Sequence, residues 1–296
     1  MSKWLVTGAS GNLGHDLVAV LAAETDVDLV ATSRAELDIT DGPAVRAAVP
    51  GRDVVVNAAA WTDVDGAEAH EAGAVAINGT GVANVAAACG ESGAVLLHVS
   101  TDYVFPGDAT TAYPEDAAIQ PVNAYGRSKA AGEAAVRGIL PDRGFVVRTA
   151  WLYGEHGRNF VATILRAAAH RESLDVVNDV RGQPTWSYPL AAQLVALGHA
   201  ALAGQAPAGA YHGTASGSTT WYGLARAAFE LSGLEPDRIR AVSSDQFRRA
   251  APRPAFSVLG HERWARAGIA PLGDWRAMLA DALARPCFAE LQGGLR

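Results

Sequence analysis

The chain has 296 residues, 49% hydrophobic and 19% charged, with a net charge of −7, which is room for one large or two modest globular domains with real cores. Its 24 Lys and Arg are scattered rather than clustered, and such a surface carries no electrostatic footprint for nucleic acid or an anionic membrane. Met1-Ser2-Lys3 leads straight into a glycine-broken apolar stretch, too short for a signal peptide or membrane span, and Cys89 and Cys287 stand apart without metal-ligand spacing; the expectation is a cytoplasmic chain with two reduced thiols.

Trp4 to Thr7 reads as a first strand, and Gly8-Ala9-Ser10-Gly11-Asn12-Leu13-Gly14 leads from it into a helix carrying Leu17, Val18, Val20 and Leu21. Strand, glycine loop, helix is the context of a phosphate cradle: glycines let the backbone approach a pyrophosphate, and the helix start offers free N–H groups and the positive end of its dipole. Gly8, Gly11, Asn12, Leu13 and Gly14 are therefore candidate dinucleotide ligands. Asp28 to Thr32 reads as the second strand, followed by Ser33 and Arg34 where an NAD-selective fold carries an acid for the ribose 2′-hydroxyl. No acid stands there and an arginine does, so NADPH is favoured, with NADH second; the alternative is that Ser33 and Arg34 are loop surface. Asp38 and Ile39 are candidate adenine neighbours, and the same stretch equally offers an N-cap at Thr40 or Asp41.

Asp53-Val54-Val55-Val56-Asn57 is a β-branched run of the kind buried in parallel sheets, and Ala58, Ala59 and Ala60 leave room for a flat ligand at its carboxyl end. Asp63, Asp65 and Glu68 look like a metal set, but acids in a loop entering a helix cap it and oppose its dipole, so no metal is assigned. Asn78 to Cys89 reads as an alanine-rich helix. Ala94 to Phe105 reads as a strand whose carboxyl end turns polar at Ser100-Thr101-Asp102.

Tyr125-Gly126-Arg127-Ser128-Lys129 opens the next helix. Residues four apart share a helix face, so Tyr125 and Lys129 look into one site. A free tyrosine has a pKa of about 10, and a nearby cation favours its phenolate, moving it toward trading a proton with a substrate oxygen near neutral pH. Thr101, at the end of the preceding strand, is placed to hold a carbonyl oxygen that the phenol protonates. The bland alternatives are a strand-end cap and a solvated helix face.

In this order, the glycine loop, Asn57-Ala58-Ala59-Ala60, Ser100-Thr101-Asp102 and Tyr-x-x-x-Lys resemble the extended short-chain dehydrogenase/reductase family. More closely, Val56 to Asp65, Ser100 to Phe105, Arg148 to Gly154, Asn178 to Thr185 and Arg253-Pro254 are similar to its branch that reduces 4-ketosugars carried on dTDP. The resemblance covers the whole chain. It implies an α/β fold, a Rossmann-type doubly wound parallel sheet with a smaller, interleaved carboxyl-terminal α/β substrate domain. It also implies Tyr125 as proton donor, Lys129 as the residue holding nicotinamide ribose and tuning the phenol, Thr101 as third catalytic member, and Thr62, Asp102, Tyr103 and Trp151 along the sugar site. The related 4,6-dehydratases follow Thr-Asp with a Glu needed for elimination; Tyr103 stands there instead, a poor partner for that chemistry. The acidic metal-binding residues of some members are not recognisable, which argues against an obligatory metal and leaves Mg²⁺ undecided. A tightly bound NAD⁺ in an epimerase, and a non-catalytic NADP-binding regulatory subunit, stand as rival readings. The expected partner is a dTDP-sugar, with neither nucleic acid nor membrane, and the chain is a monomer or homodimer.

Residues 1–154 are expected to form the nucleotide domain and 155–296 mainly the substrate domain. Phe145 to Arg148 reads as a strand, and Leu174 to Asn178 and Ala210 to Gly213 read as strands returning toward the nucleotide domain, which interleaves the two domains. Arg181 and Arg253, on loops, are candidates to neutralise a substrate diphosphate through forked hydrogen bonds. Phe256 and Trp264 are base-stacking candidates whose default is core.

Overall fold

In the computed structural model, which describes residues 1–293, β1 (Ser2–Thr7) sends Trp4 and Val6 to one face of a sheet and Leu5 to the other, as the two-residue period of a strand requires. Both faces are covered. The strands beside it, β2 (Val27–Thr32), β3 (Val54–Asn57), β4 (Val95–Thr101) and β5 (Gly144–Thr149), are all parallel, with Gly209–His212 beyond β5. The order is Gly209–His212, β5, β4, β3, β1, β2. β3 and β5 are buried along their whole length, which is why each carries an unbroken apolar stretch, Val54–Val56 and Phe145–Val147, before its polar end.

Helices Asn12–Ala22 and Ser187–Leu202 pack on the Trp4 face, and Gly42–Ala48, the helical run Glu71–Ser92 and Ala124–Ile139 pack on the Leu5 face. Among the described residues Glu71–Ser92 is the one helix long and apolar enough to cross a membrane, and it lies within this layer against Ala124–Ile139.

β1 pairs with β2 on one side and β3 on the other, so the winding reverses between β1 and β3. Ligands of open α/β sheets sit outside the strand carboxyl ends at such a reversal. At that edge Thr7 Oγ1 donates to Asn57 Oδ1 (2.7 Å), and Asn57 Nδ2 meets His98 Nδ1 at 3.1 Å, which joins the ends of β1, β3 and β4 without a charge.

Leu174–Asn178, expected to return toward the nucleotide domain, does not join this sheet. Leu174–Val177 pairs with Ile239–Val242 in a separate two-stranded sheet packed on helices Phe160–Ala168 and Trp221–Leu231. Leu174 and Val176 are buried there while Asp175 is exposed and pairs with Arg240. A strand with one solvated face has no place in a sheet covered on both.

Candidate active site

The glycine loop leaves β1 at Gly8, whose φ is +72°, and a Cβ there would lie 2.5 Å from the Ala59 backbone nitrogen. A Cβ at Gly14 would meet the Gly8 carbonyl oxygen. Only glycine fits at either position, and the result is bare backbone facing the end of β3. The helix that follows is N-capped by Gly11 with no side-chain acceptor and has no acid in its first turn. Its free N–H groups are therefore left for an anion.

A cleft of about 680 Å³ opens over this loop, within the range of small-molecule and cofactor sites. It brings together Gly8, Gly11, Asn12, Leu13, Gly14, Arg34, Asp38, Ile39, Ala58, Ala59, Ala60, Thr62, Tyr125 and Lys129. Ser33 is not on its wall: its N–H and hydroxyl both donate to Glu36 Oε2 (2.8 and 2.7 Å), so a local turn uses up the hydroxyl. Arg34 is exposed, its Nε 3.4 Å from Asp38, a contact weak enough to leave the guanidinium available. Asp38 accepts from the Thr40 N–H and hydroxyl, which hold its carboxyl below the usual range, while Asp41 caps the next helix.

Asn123 starts the Tyr125 helix by accepting from Gly126 N–H (2.7 Å). One turn on, Lys129 is buried and its Nζ donates to the Val99 carbonyl (2.6 Å). Burial draws its pKa down to about 8. Tyr125 is half-buried, and the expectation of a phenol depressed by the ammonium is corrected. Burial pushes Tyr125 above its ordinary value, with the hydrogen bond to Thr101 pulling the other way. Spacing placed the cation, but desolvation of the ring outweighs it. The phenol is thus held protonated, the state a proton donor needs.

Thr101 Oγ1 donates to Asp102 Oδ1 (3.0 Å). Burial raises Asp102 to about 6, with nearby Ser257 and Thr101 favouring the charged form, and its Oδ2 has no hydrogen-bond partner among the described residues. The Tyr103 ring meets Tyr125 edge-on at 5.8 Å, and burial raises its phenol to about 12.

Of the residues proposed for the sugar side Thr62 is on the cleft wall, and Thr101, Asp102, Tyr103, Trp151, Arg181 and Arg253 lie off it. Arg253 is committed to Asp65, with Nη1 and Nη2 each 2.6 Å from a carboxylate oxygen and Nη1 also on the Ala251 carbonyl. Tyr103 lies beside it. Arg181 is exposed, Nη1 donating to Ser218 Oγ at 3.2 Å. Trp151 stacks on Trp221 with centroids 3.6 Å apart and takes a φ of +47°, a strained conformation for an aromatic residue. Trp264 is core, its Nε1 donating to the His212 carbonyl. The acids that resembled a metal set serve three ends: Asp63 caps a helix, Asp65 pairs with Arg253, and Glu68 accepts from Ala124 N–H.

Sequence reasoning missed Asn78. It sits in a π-helical turn, Ala76–Gly81, holds Trp61 by both its N–H and carbonyl, and donates to Ser128 Oγ (2.9 Å), so it fixes the Thr62 loop against the Tyr125 helix. An Asn-Gly pair inside an alanine-rich helix was the signal, since asparagine competes with helical hydrogen bonds, and π turns gather at functional sites.

A glycine loop at the reversal of a parallel sheet, sharing one cleft with a Tyr-x-x-x-Lys helix beside a strand-end threonine, is the build of a Rossmann-type oxidoreductase of the short-chain dehydrogenase/reductase class. The family model described as the RmlD substrate binding domain matches residues 2–287. A dTDP-4-dehydrorhamnose reductase of Streptomyces griseus is 51% identical over 287 residues, 96% of this chain and 94% of that protein. A dTDP-4-keto-6-deoxy-D-glucose reductase of Streptomyces niveus is 48% identical over 95% of this chain and 96% of its own length. The crystal structure of dTDP-4-dehydrorhamnose reductase from Bacillus anthracis in complex with NADP superposes with a TM-score of 0.90 at 35% identity, covering 96% of this chain and 99% of that one. The chain belongs to the RmlD family, that of the dTDP-4-dehydrorhamnose reductases.

Proposed function

We propose that this protein is a cytoplasmic enzyme that reduces the C4 ketone of a dTDP-6-deoxy-4-ketohexose with NADPH, converting dTDP-4-dehydro-L-rhamnose to dTDP-L-rhamnose. The observation that carries this reading is the single cleft shared by the glycine loop, Tyr125 and Lys129, with Thr101 at the adjoining strand end, its hydroxyl on Asp102. The residues fit a dinucleotide: the cradle at Gly8 and Gly14 is closed to any side chain. Gly11 to Gly14 would hold the pyrophosphate, Arg34 the 2′-phosphate, Asp38 and Ile39 the adenine side, Ala58 to Ala60 the middle of the cofactor, and Lys129 the nicotinamide ribose. Bound there, NADPH supplies the hydride. Tyr125 delivers a proton to the sugar oxygen as it becomes an alkoxide, and Thr101 orients both oxygens. Thr62, Asp102, Tyr103 and Trp151 border the sugar, and Arg181 approaches its diphosphate. Residues 1–154 with the returning Gly209–His212 strand serve the cofactor, and 155–296 mainly the sugar nucleotide.

The purified protein, given the ketosugar and NADPH, is expected to consume the absorbance of the reduced cofactor; no oxidation at saturating concentrations refutes the proposal. In the same preparation Arg34→Ala should weaken NADPH binding about tenfold or more and leave NADH nearly untouched, because only the 2′-phosphate distinguishes them. Titrating both cofactors checks this, and equal losses would place Arg34 elsewhere.

A further inference from the structure

A second arginine lines the cofactor cleft, on the carboxyl-terminal half of the chain. Arg158 sits between Tyr153 and the helix Phe160–Ala168, on a loop that also brings Gly157 to the cleft wall. This loop is fixed to the start of helix Asn12–Ala22. A Cβ on Gly157 would be 3.8 Å from Asn12 Cβ, and Ser187 Oγ donates to both Tyr153 O (3.1 Å) and Asn12 Oδ1 (3.2 Å). The His156 ring stacks on His15 with centroids 4.4 Å apart, Asn159 Nδ2 donates to the Gly154 carbonyl (2.9 Å), and Glu155 takes Arg285 Nε at 2.8 Å. Glu155, the acid nearest Arg158 in sequence, is thereby occupied. Among the described residues Arg158 makes no ion pair, whereas Arg253 is locked onto Asp65. An exposed guanidinium without an ion-pair partner, on the same cleft wall as Gly157 next to Asn12, adds positive charge to a cleft where the helix already presents free N–H groups, which is what a pyrophosphate calls for.

We infer that Arg158 is a cofactor-binding residue, clamping the pyrophosphate of the dinucleotide from the substrate side of the cleft. This rests on the dinucleotide reading above. It divides the work between two arginines: Arg34 meets the one phosphate that NADPH has and NADH lacks, and Arg158 meets the pair that both possess. Because the loop belongs to the carboxyl-terminal half, binding of either dinucleotide also ties the two halves of the chain together.

Equilibrium titration of the full-length protein with NADPH, NADH and, separately, dTDP tests the inference without turnover. Arg158→Ala should raise the Kd of NADPH and of NADH by the same factor, roughly tenfold, with Arg158→Lys recovering part of the loss and dTDP binding unchanged. An unaltered Kd for both dinucleotides overturns the assignment. A loss confined to NADPH would make Arg158 a reader of the 2′-phosphate, and a loss confined to dTDP would give it to the sugar nucleotide; either overturns it too. If the unsubstituted protein binds neither dinucleotide, it is the reading of the cleft that fails, a result distinct from the others. Arg158 is exposed, so an unchanged Tm in both variants separates lost affinity from lost folding.

Discussion

Tyr125→Phe is expected to lower kcat by about 10²- to 10⁴-fold, the span of general acid catalysis, while leaving the Kd for NADPH unchanged. The substitution keeps the ring that packs edge-on against Tyr103 and removes only the hydroxyl, which Thr101 neighbours. Thr101→Val removes the hydroxyl beside it. The two changes disable one device, so the double variant should be far less impaired than the product of the single losses. Steady-state kinetics of the four proteins, under conditions where hydride transfer limits the rate, decide the matter. Fully multiplicative losses, or an unimpaired Tyr125→Phe enzyme, would reduce the pair to a wall of the cleft.

The second large effect is on stability. Arg148 and Glu133 are both about fully buried, with Arg148 Nε and Nη2 on the two carboxylate oxygens at 2.9 and 2.8 Å. Glu133 also takes the Ser100 hydroxyl (2.6 Å), and Arg148 Nη1 reaches the Glu115 carbonyl and His212 Nε2. This network joins the strand that ends in Thr101, the helix that carries Lys129 and the returning strand beyond β5. Removing one member strands a charge in a dry site, and Glu133→Ala should cost about 3–5 kcal/mol, a drop in Tm on the order of 10 °C. Glu133→Leu with Arg148→Met removes both charges and should recover much of it. Recovery will be incomplete, because the Ser100 hydroxyl and the Glu115 carbonyl lose their partners. Thermal unfolding reads this directly; a single variant as stable as the parent would mean that water reaches the pair.

Both effects bear on what was legible in the residues. The glycine loop, the β-branched strand Val54–Asn57 and the spacing of Tyr125 and Lys129 are local patterns, and local patterns fix which backbone approaches which. The sheet and the cleft at its reversal followed from them. Contacts between distant segments did not. Arg253 looked like a free cation for a diphosphate, yet its partner Asp65 lies 188 residues away in sequence. Ser33 lost its place on the cleft wall to Glu36, three residues on, because a short hydroxyl is captured by the nearest turn acceptor. Leu174–Val177 found a partner strand, Ile239–Val242, that no periodicity announced. The phenol of Tyr125 was read from the cation one turn away, whereas its protonation is set by burial, which only the assembled fold supplies.

The most direct test of the central claim follows the hydride in the ketosugar reaction. NADPH carrying deuterium at the transferable C4 position of its nicotinamide should deliver the label to C4 of the sugar, giving one deuterium at that carbon of a dTDP-6-deoxyhexose. An unlabelled product, label at another carbon of the sugar, or recovery of the ketosugar with the deuterated cofactor unspent would contradict it.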